Sequence, residues 1–182
     1  MNINDQHILL WKRYQNGDSQ AYADIFRLYY PALYQFGFKI AGDSAMLEDC
    51  IQELFTELWQ NKSQTDVQSV KAYLLKSLKY KILRALRKPG PSRVSEDEKE
   101  YGFELSHESL LISEEESTEK AQKVVSAMSQ LSNRQKEILY LRFYQGLSYE
   151  EISEIMNINY QVSRNLLYQA IKAMKKLITL FL

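Results

Sequence analysis

Residues 131–170 constrain the fold more than any other part of this chain. Within them a serine twice stands three positions before Gln or Glu: Ser132 before Gln135, and Ser148 before Glu151. In such a capping box the serine hydroxyl accepts from a first-turn N–H, and the Gln or Glu side chain reaches back to the serine N–H. Two helix N-termini so close together predict short successive helices rather than one long helix.

The ends of these helices can also be predicted. Gly146 stands where the first helix must stop, at a position that only glycine takes at low cost. The helix from Ser148 should end near Met156, residues 157–159 should form a turn, and another helix should begin near Tyr160. This is the layout of a helix-turn-helix that reads the major groove of DNA. Its candidate base-contacting residues are Gln161, Arg164, Asn165 and Tyr168. A packed helical hairpin would show the same pattern, so both interpretations stay open here.

Composition favours an all-α protein of one large or two small domains, because 182 residues include only 6 Gly and 3 Pro. The lone Cys50 excludes an internal disulfide and suits a reducing compartment. His7 and His107 are far apart and lack a Cys partner, so we expect no metal and no cofactor. The N-terminus lacks a signal peptide, and no apolar run approaches membrane-spanning length. These features predict a soluble cytoplasmic protein without membrane insertion.

Charge is segregated along the chain, although the formal net charge is zero. Residues 41–60 carry acids and no base, and residues 71–88 carry bases and no acid. Residues 95–119 hold ten acids against Lys99, and bases without acids follow from residue 155. Such segregation predicts several partner surfaces, of which two suit phosphate. The neutral total predicts weak DNA binding by the free protein, since phosphate neutralisation supplies most non-specific affinity.

The helical pattern divides the chain into two all-α domains joined by a flexible acidic linker. Four N-terminal helices are expected, the first capped by Asp5, with Pro31 either kinking the second or opening a new helix. Pro89-Gly90-Pro91 ends the fourth helix. The predicted boundaries are a first domain at 1–88, a linker at 89–116 and a second domain at 117–182, with helix resuming at Ser117.

Two helices of the first domain differ in charge and so predict different partners. The basic helix at 71–88 includes Tyr73 and Tyr80, and aromatic residues among basic ones favour contact with a single nucleic-acid strand over a merely solvated face. The acidic helix at 44–60 suits a basic protein partner. An ordinary solvated face explains its charge equally well.

The whole chain resembles an extracytoplasmic-function sigma factor, a minimal two-domain member of the sigma-70 family of bacterial RNA polymerase. The resemblance covers residues 10–88 and 119–180. It rests on E-D-C-I-Q-E-L-F-T-E-L-W from Glu48, V-K-A-Y-L-L-K-S-L-K-Y-K-I-L-R-A-L-R-K from Val70, and L-S-N-R-Q-K-E-I-L with G-L-S-Y-E-E-I further on. The recognition helix, Y-Q-V-S-R-N-L-L-Y-Q-A, is similar to that of members common in Bacteroidota.

This resemblance implies a factor that binds core RNA polymerase, directs promoter-specific initiation and melts promoter DNA. Its partners would be the clamp of the largest polymerase subunit, the flap of the second subunit, promoter DNA, and an anti-sigma factor or other recruiting protein. The implied polymerase-binding residues are Glu48, Asp49, Gln52, Glu53 and Trp59. Those implied for the minus-ten element and its melted strand are Lys62, Ser63, Tyr73, Lys76, Lys79, Tyr80, Arg84 and Arg87. Those implied for the minus-thirty-five element are Tyr160, Gln161, Ser163, Arg164, Asn165, Tyr168 and Lys172.

Two positions depart from the family pattern. Tyr80 and Arg84 stand where the melting helix usually has Asn and Asp, and Val162 precedes Ser163 where a small polar residue usually precedes Val. The second departure leaves the face of the recognition helix open by about one residue.

Two other functions are less compatible with the sequence. An autonomous helix-turn-helix regulator would need a sensor or dimerisation domain in place of the acidic and basic helices. A small helical enzyme would need carboxylates beside a His, Cys or Lys in an apolar pocket, and its catalytic residues are not found in the sequence.

Overall fold

The computed structural model describes residues 3–61, 65–87, 101–104 and 126–180. Within these ranges the regular structure is helical and contains no strand, which confirms the all-α prediction. The chain separates into two compact units, Met1–Val94 and Ser95–Leu182.

The N-terminal unit contains α1 (Ile3–Gln15), α2 (Ser19–Ala41), α3 (Ser44–Asn61) and α4 (Val70–Leu86). Side-chain caps begin three of them: the Asp18 carboxylate accepts from Ala21 N–H, Asp43 from Met46 N–H at 2.8 Å, and Ser69 from Ala72 N–H at 3.2 Å. The expectation for α1 was wrong, because the helix already begins at Ile3 and Asp5 lies in its first turn. Of the alternatives at Pro31, the structure has one helix running through it.

Helix α4 packs on both α2 and α3, and these three helices share the core of the unit. The apolar residues Leu74, Leu75, Leu78 and Ile82 of α4 are fully buried. Gly37 of α2 faces them: a Cβ there would overlap the Leu47 side chain and lie 3.1 Å from Ile82 Cδ1. The absence of a side chain at this position lets α2 approach α3 and α4 closely, as glycine does at tight helix contacts.

The C-terminal unit contains α5 (Asn133–Leu139), which continues as a π-helical turn (Tyr140–Tyr144), followed by α6 (Tyr149–Met156) and α7 (Tyr160–Leu180). Residues 126–129 are also helical, whereas the predicted restart at Ser117 lies outside the described residues. Both capping boxes are confirmed, with reciprocal bonds at Ser132–Gln135 and Ser148–Glu151.

Residues with a left-handed backbone conformation separate these helices. Gly146 has a φ of 69°, as expected for the stop after the first of them. Asn157 ends α6 with a φ of 50°, a conformation that Asn tolerates better than most residues. The side chain of Asn159 then caps α7 by accepting from Val162 N–H at 2.8 Å.

The segment 101–104 packs on the C-terminal unit, although the sequence placed it within the linker at 89–116. Phe103 is fully buried, and its ring centroid lies 5.8 Å from that of Tyr140. The Tyr101 hydroxyl donates a hydrogen bond to the Glu137 carboxylate. These four residues are therefore part of the C-terminal unit.

Candidate nucleic-acid and polymerase interfaces

A hydrogen bond between two serine hydroxyl groups, one buried and one half-buried, joins α6 and α7 of the helix-turn-helix. Ser163 of α7 is fully buried, and its Oγ accepts from Ser153 Oγ of α6 at 3.1 Å and donates to the Tyr160 carbonyl at 2.8 Å. The assignment of Ser163 as a DNA contact is therefore wrong, because this residue packs α7 against α6. The open question about the helix face is settled accordingly: Val162, which is 42% exposed, lies at the surface in its place.

The remaining predicted base-contacting residues share one exposed face of α7. They recur at three- and four-residue spacing, which places side chains on one side of a helix. This exposed set consists of Tyr160, Gln161, Arg164, Asn165, Tyr168 and Lys172. Gln161 Nε2 donates to Asn165 Oδ1 at 3.1 Å, and the Arg164 guanidinium lies 5.9 Å from the centre of the Tyr160 ring. The face thus presents an amide pair, a cation and aromatic rings together.

Helix α4 presents a second exposed stripe of basic and aromatic residues. Lys76, Tyr80 and Arg84 lie on it at four-residue spacing, and Tyr80 is 69% exposed; the exposed Arg87 follows at the C-cap of the helix. An aromatic ring this open in an otherwise well-packed unit can stack on an unpaired base. Tyr73, on the same line, is half-buried, with its ring edge-on to Trp11 at 5.3 Å.

Two of the lysines counted in this helix do not contribute to the stripe. Lys79 is only 3% exposed, so its assignment to the DNA strand is wrong. It lies four residues after Leu75 and three before Ile82, on the side of α4 that faces the core. Lys81 instead bridges to α3, with Nζ 2.7 Å from Glu57 and 3.3 Å from Glu53.

The acidic face of α3 is exposed where the polymerase contact was expected. Glu48, Asp49, Gln52 and Glu53 all lie at the surface. Trp59 is 36% exposed, and its ring packs 4.9 Å from that of Tyr22. Lys62 and Ser63 lie outside the described residues.

Lys81 also changes the electrostatics of this acidic face. Its hydrogen bond lowers the pKa of Glu57, and the same ammonium lies beside the carboxylate of Glu53. One edge of the acidic face is therefore partly neutralised within the unit, while Glu48 and Asp49 lie at a distance from this bridge along the helix.

An aromatic ridge on α2 was not predicted. Tyr22, Phe26, Tyr30, Tyr34 and Phe38 follow one another every four residues, with neighbouring rings from Phe26 to Phe38 between 5.2 and 6.2 Å apart. The Phe26 ring also contacts Phe55 of α3 at 4.8 Å. Burial, together with the nearby charge of Glu48, raises the pKa of Tyr30. The four-residue spacing of aromatic residues in the sequence was the signal that could have revealed the ridge.

Two other kinds of site are absent from the part of the chain that the structure describes. No described helix is long and apolar enough to cross a membrane. No cluster of three or more His, Cys, Asp or Glu side chains in the described ranges could hold a metal ion.

Comparison with known proteins finds a match to one protein-family model in each half of the chain. The family model for Sigma-70 region 2 matches residues 25–90, and that for Sigma-70, region 4 matches residues 121–174. The ECF RNA polymerase sigma factor SigW of Bacillus subtilis is 23% identical over 91% of this chain and 92% of its own length.

Two solved structures share the fold. CnrH, in complex with the cytosolic domain of CnrY, has a TM-score of 0.62 at 15% identity and covers 94% of this chain and 96% of its own. The sigma factor RpoE of Bartonella quintana, in complex with the anti-sigma factor NepR, has a TM-score of 0.58 at 21% identity and covers 85% and 94%.

The two regions occur in order, one in each compact unit, so the chain belongs to the sigma-70 family. Curated ECF sigma factors are similar to this chain along most of its length, at 22–24% identity.

Proposed function

We propose that this chain binds core RNA polymerase through α3, reads the minus-thirty-five element with α7, and recognises and melts the minus-ten element with α4. The observation that carries the proposal is the presence of three chemically different exposed faces on three helices of one chain. One is acidic, one is basic and aromatic, and one is a helix-turn-helix recognition face. Regulators that act alone have no need of the first two. We assign the chain no enzymatic activity, and place its action in the cytoplasm.

The recognition face of α7 suits direct readout of bases. An Arg side chain can bind guanine O6 and N7 together, and Asn or Gln can bind adenine N6 and N7. Arg164 and the hydrogen-bonded pair of Gln161 and Asn165 supply both kinds of contact. The exposed Val162 can contact a thymine methyl group, and Lys172, further along the helix, can pair with phosphate.

The stripe on α4 suits one separated strand rather than a duplex. Tyr80 can stack on an unpaired base, while Lys76, Arg84 and Arg87 pair with phosphates on the same line. Lys79 and Lys81 take no part, because one faces the core and the other binds α3. Tyr80 and Arg84 replace the residues usual at these family positions, so we infer a preference at the minus-ten element that differs from the family's.

The acidic face of α3 supports docking on a basic surface, for which the polymerase clamp is the proposed partner; the flap of the second subunit would hold the C-terminal unit. A controlling protein is a further proposed partner. The structures of CnrH and RpoE are described as complexes with CnrY and with the anti-sigma factor NepR, respectively. The amino-acid sequence of α7 supports a place among ECF members common in Bacteroidota.

In vitro transcription from genomic fragments tests the proposal. Core polymerase with this protein should start transcripts at defined sites that core polymerase alone does not use. Fragments with scrambled upstream and minus-ten elements serve as matched controls. In a gel shift at moderate salt, the protein alone should bind the same fragments poorly, because its net charge is zero. Tight, specific binding by the free chain, without specific initiation, would instead indicate an autonomous regulator.

A further inference from the structure

The aromatic residues of segment 101–104 are bound to the C-terminal unit by two different interactions. Phe103 has no exposed surface, and its ring lies against Tyr140. Two residues earlier, the Tyr101 hydroxyl donates to the carboxylate of Glu137, which is itself only 1% exposed. A buried ring and a hydrogen bond to a buried carboxylate specify one position for this segment.

The surface that receives Phe103 is a fixed part of the unit. Tyr140 is buried, its ring is stacked on Tyr144 at 4.9 Å, and its hydroxyl accepts from Gln145 Nε2 at 2.9 Å. Tyr140 also begins the π-helical turn, a helix irregularity often found at functional positions. Phe103 therefore packs against a side chain that is oriented by its own contacts.

We propose that Tyr101 and Phe103 anchor the linker to the C-terminal unit, and so limit the distance between the two promoter elements that one molecule can bind. This inference rests on the proposed function. Without the anchor, residues 88–125 would connect the described helices of the two units. With it, only residues 88–100 do so, because the segment from 105 to 125 begins and ends on the same unit.

The anchor therefore shortens the connection by about two thirds. At about 3.3–3.6 Å per residue, 13 residues reach at most about 50 Å, whereas 38 reach well over 100 Å. It also divides the acids of the linker. Glu96, Asp97, Glu98 and Glu100 precede the anchor in the sequence, and Glu108, Glu114, Glu115, Glu116 and Glu119 follow it.

The anchor can be tested without changing Tyr101 or Phe103, by altering the length of the chain before it and after it by the same number of residues. One variant inserts eleven Gly and Ser residues after Pro91, and the other deletes residues 106–116. Transcription is measured with core polymerase on promoters whose two elements are moved apart in single base pairs. The insertion should extend the usable spacing by at least one base pair, while the deletion should leave the spacing range unchanged. A deletion that narrows the range as much as the insertion widens it would overturn the anchor.

A second measurement does not depend on transcription, and so separates failure of the anchor from failure of the proposed function. Small-angle scattering of the free full-length chain should show a larger maximum dimension for Phe103→Ala than for wild type. Phe143→Ala, which removes a ring that is 67% exposed, is the matched control and should not change this dimension. Circular dichroism confirms that the helices persist in each variant.

Equal dimensions for Phe103→Ala and wild type would overturn the anchor. If Phe103→Ala loses helix content, Tyr101→Phe replaces it, because that change removes only the hydrogen bond to Glu137. Tyr101→Phe should then increase the maximum dimension, by less than is expected for Phe103→Ala. An unchanged dimension would again count against the anchor.

Discussion

The two units differ in how many basic side chains their basic helices, α4 and α7, leave exposed. In the N-terminal unit, α4 packs on α2 and α3, so Lys79 faces the core and Lys81 binds two acids of α3. In the C-terminal unit, α7 buries a narrow side that contains Ser163, Leu167 and Ala170, and its basic residues are exposed. A count of charges along the sequence thus overstates the number of exposed basic groups on α4, whereas for α7 it is a good measure.

The difference has a physical origin in how much of each helix is covered, because α7 also packs on two helices, α5 and α6. A helix that buries a wide arc of its surface removes the lysines inside that arc from water, so they must be solvated by the protein or paired with acids. A helix that buries a narrow stripe leaves the rest of its surface in water. The N-terminal unit can therefore present opposite charges on adjacent helices, and the C-terminal unit can present one uninterrupted recognition face.

The largest effect is expected from the acidic face that only the N-terminal unit has. Asp49→Lys/Glu53→Lys should abolish retention on core polymerase, since disrupting a close interfacial charge pair costs about 2–5 kcal/mol. The fold should persist because both residues are exposed and Lys81 keeps the shorter of its two ion pairs, the one with Glu57. The matched control is Glu150→Lys/Glu154→Lys in α6, which changes net charge equally and should retain polymerase binding. A pull-down measures both, and equal retention of the two double variants would remove the docking assignment.

The next largest effect distinguishes base contact from phosphate contact on α7. Arg164→Ala should weaken use of the minus-thirty-five element by about 1–3 kcal/mol if the guanidinium binds a guanine edge. The loss should disappear on promoters altered at that base. Lys172→Ala is the comparison, because a phosphate contact should lose activity almost uniformly across sequences. A uniform loss for Arg164→Ala in the same promoter panel would assign it to the backbone instead.

Local signals were enough to predict most helix boundaries. The caps at Ser132 and Ser148 and the stop at Gly146 depend on residues only a few positions apart, and all three are confirmed. The cap at Asp5 was wrong because α1 begins two residues earlier. Sequence spacing therefore predicted the fold class and the helix-turn-helix.

The errors in the candidate site come from contacts between distant parts of the chain. The burial of Lys79 depends on the packing of α4 between other helices, and the bridge from Lys81 joins residues more than twenty positions apart. The contact of Phe103 with Tyr140 joins a residue of the predicted linker to a helix more than thirty positions later. The error at Ser163 has a local cause: the sequence placed the exposed face of α7 one residue too far along, and Val162 lies on that face instead. A periodic pattern identifies a face only to within about one residue.

A smaller effect should confirm the corrected face of α7. Ser163→Ala removes the hydroxyl that pairs with Ser153 and should destabilise the α6–α7 contact by about 0.5–1.5 kcal/mol, the usual net value of a hydrogen bond. Promoter preference should stay the same, because the hydroxyl does not reach DNA. Hydrogen exchange of α6 and α7 amides measures the first effect, and the promoter panel measures the second. Altered base preference with unchanged exchange would restore Ser163 to the recognition face.

The smallest effect concerns the ion bridge that distinguishes α4 from α7. The Lys81 hydrogen bond lowers the pKa of Glu57 below its usual value of 4.5, so the charged carboxylate stabilises the folded unit above that pH. This contribution should be lost as the pH falls from about 4.5 through the lowered value. It should amount to less than about 1 kcal/mol, because the Glu57 side chain is 50% exposed and solvent screens the pair.

Lys81→Gln should therefore lower the free energy of unfolding of the N-terminal unit at pH 6 and have a smaller effect at pH 3, because protonation of Glu57 removes the charge that pairs with Lys81. Both tryptophans, Trp11 and Trp59, belong to this unit, so fluorescence during urea unfolding follows it separately from the C-terminal unit. The control is Lys76→Gln, an exposed lysine on the same helix. If the two variants show the same difference between pH 6 and pH 3, the bridge contributes nothing specific. In that case α4 would differ from α7 only through the burial of Lys79.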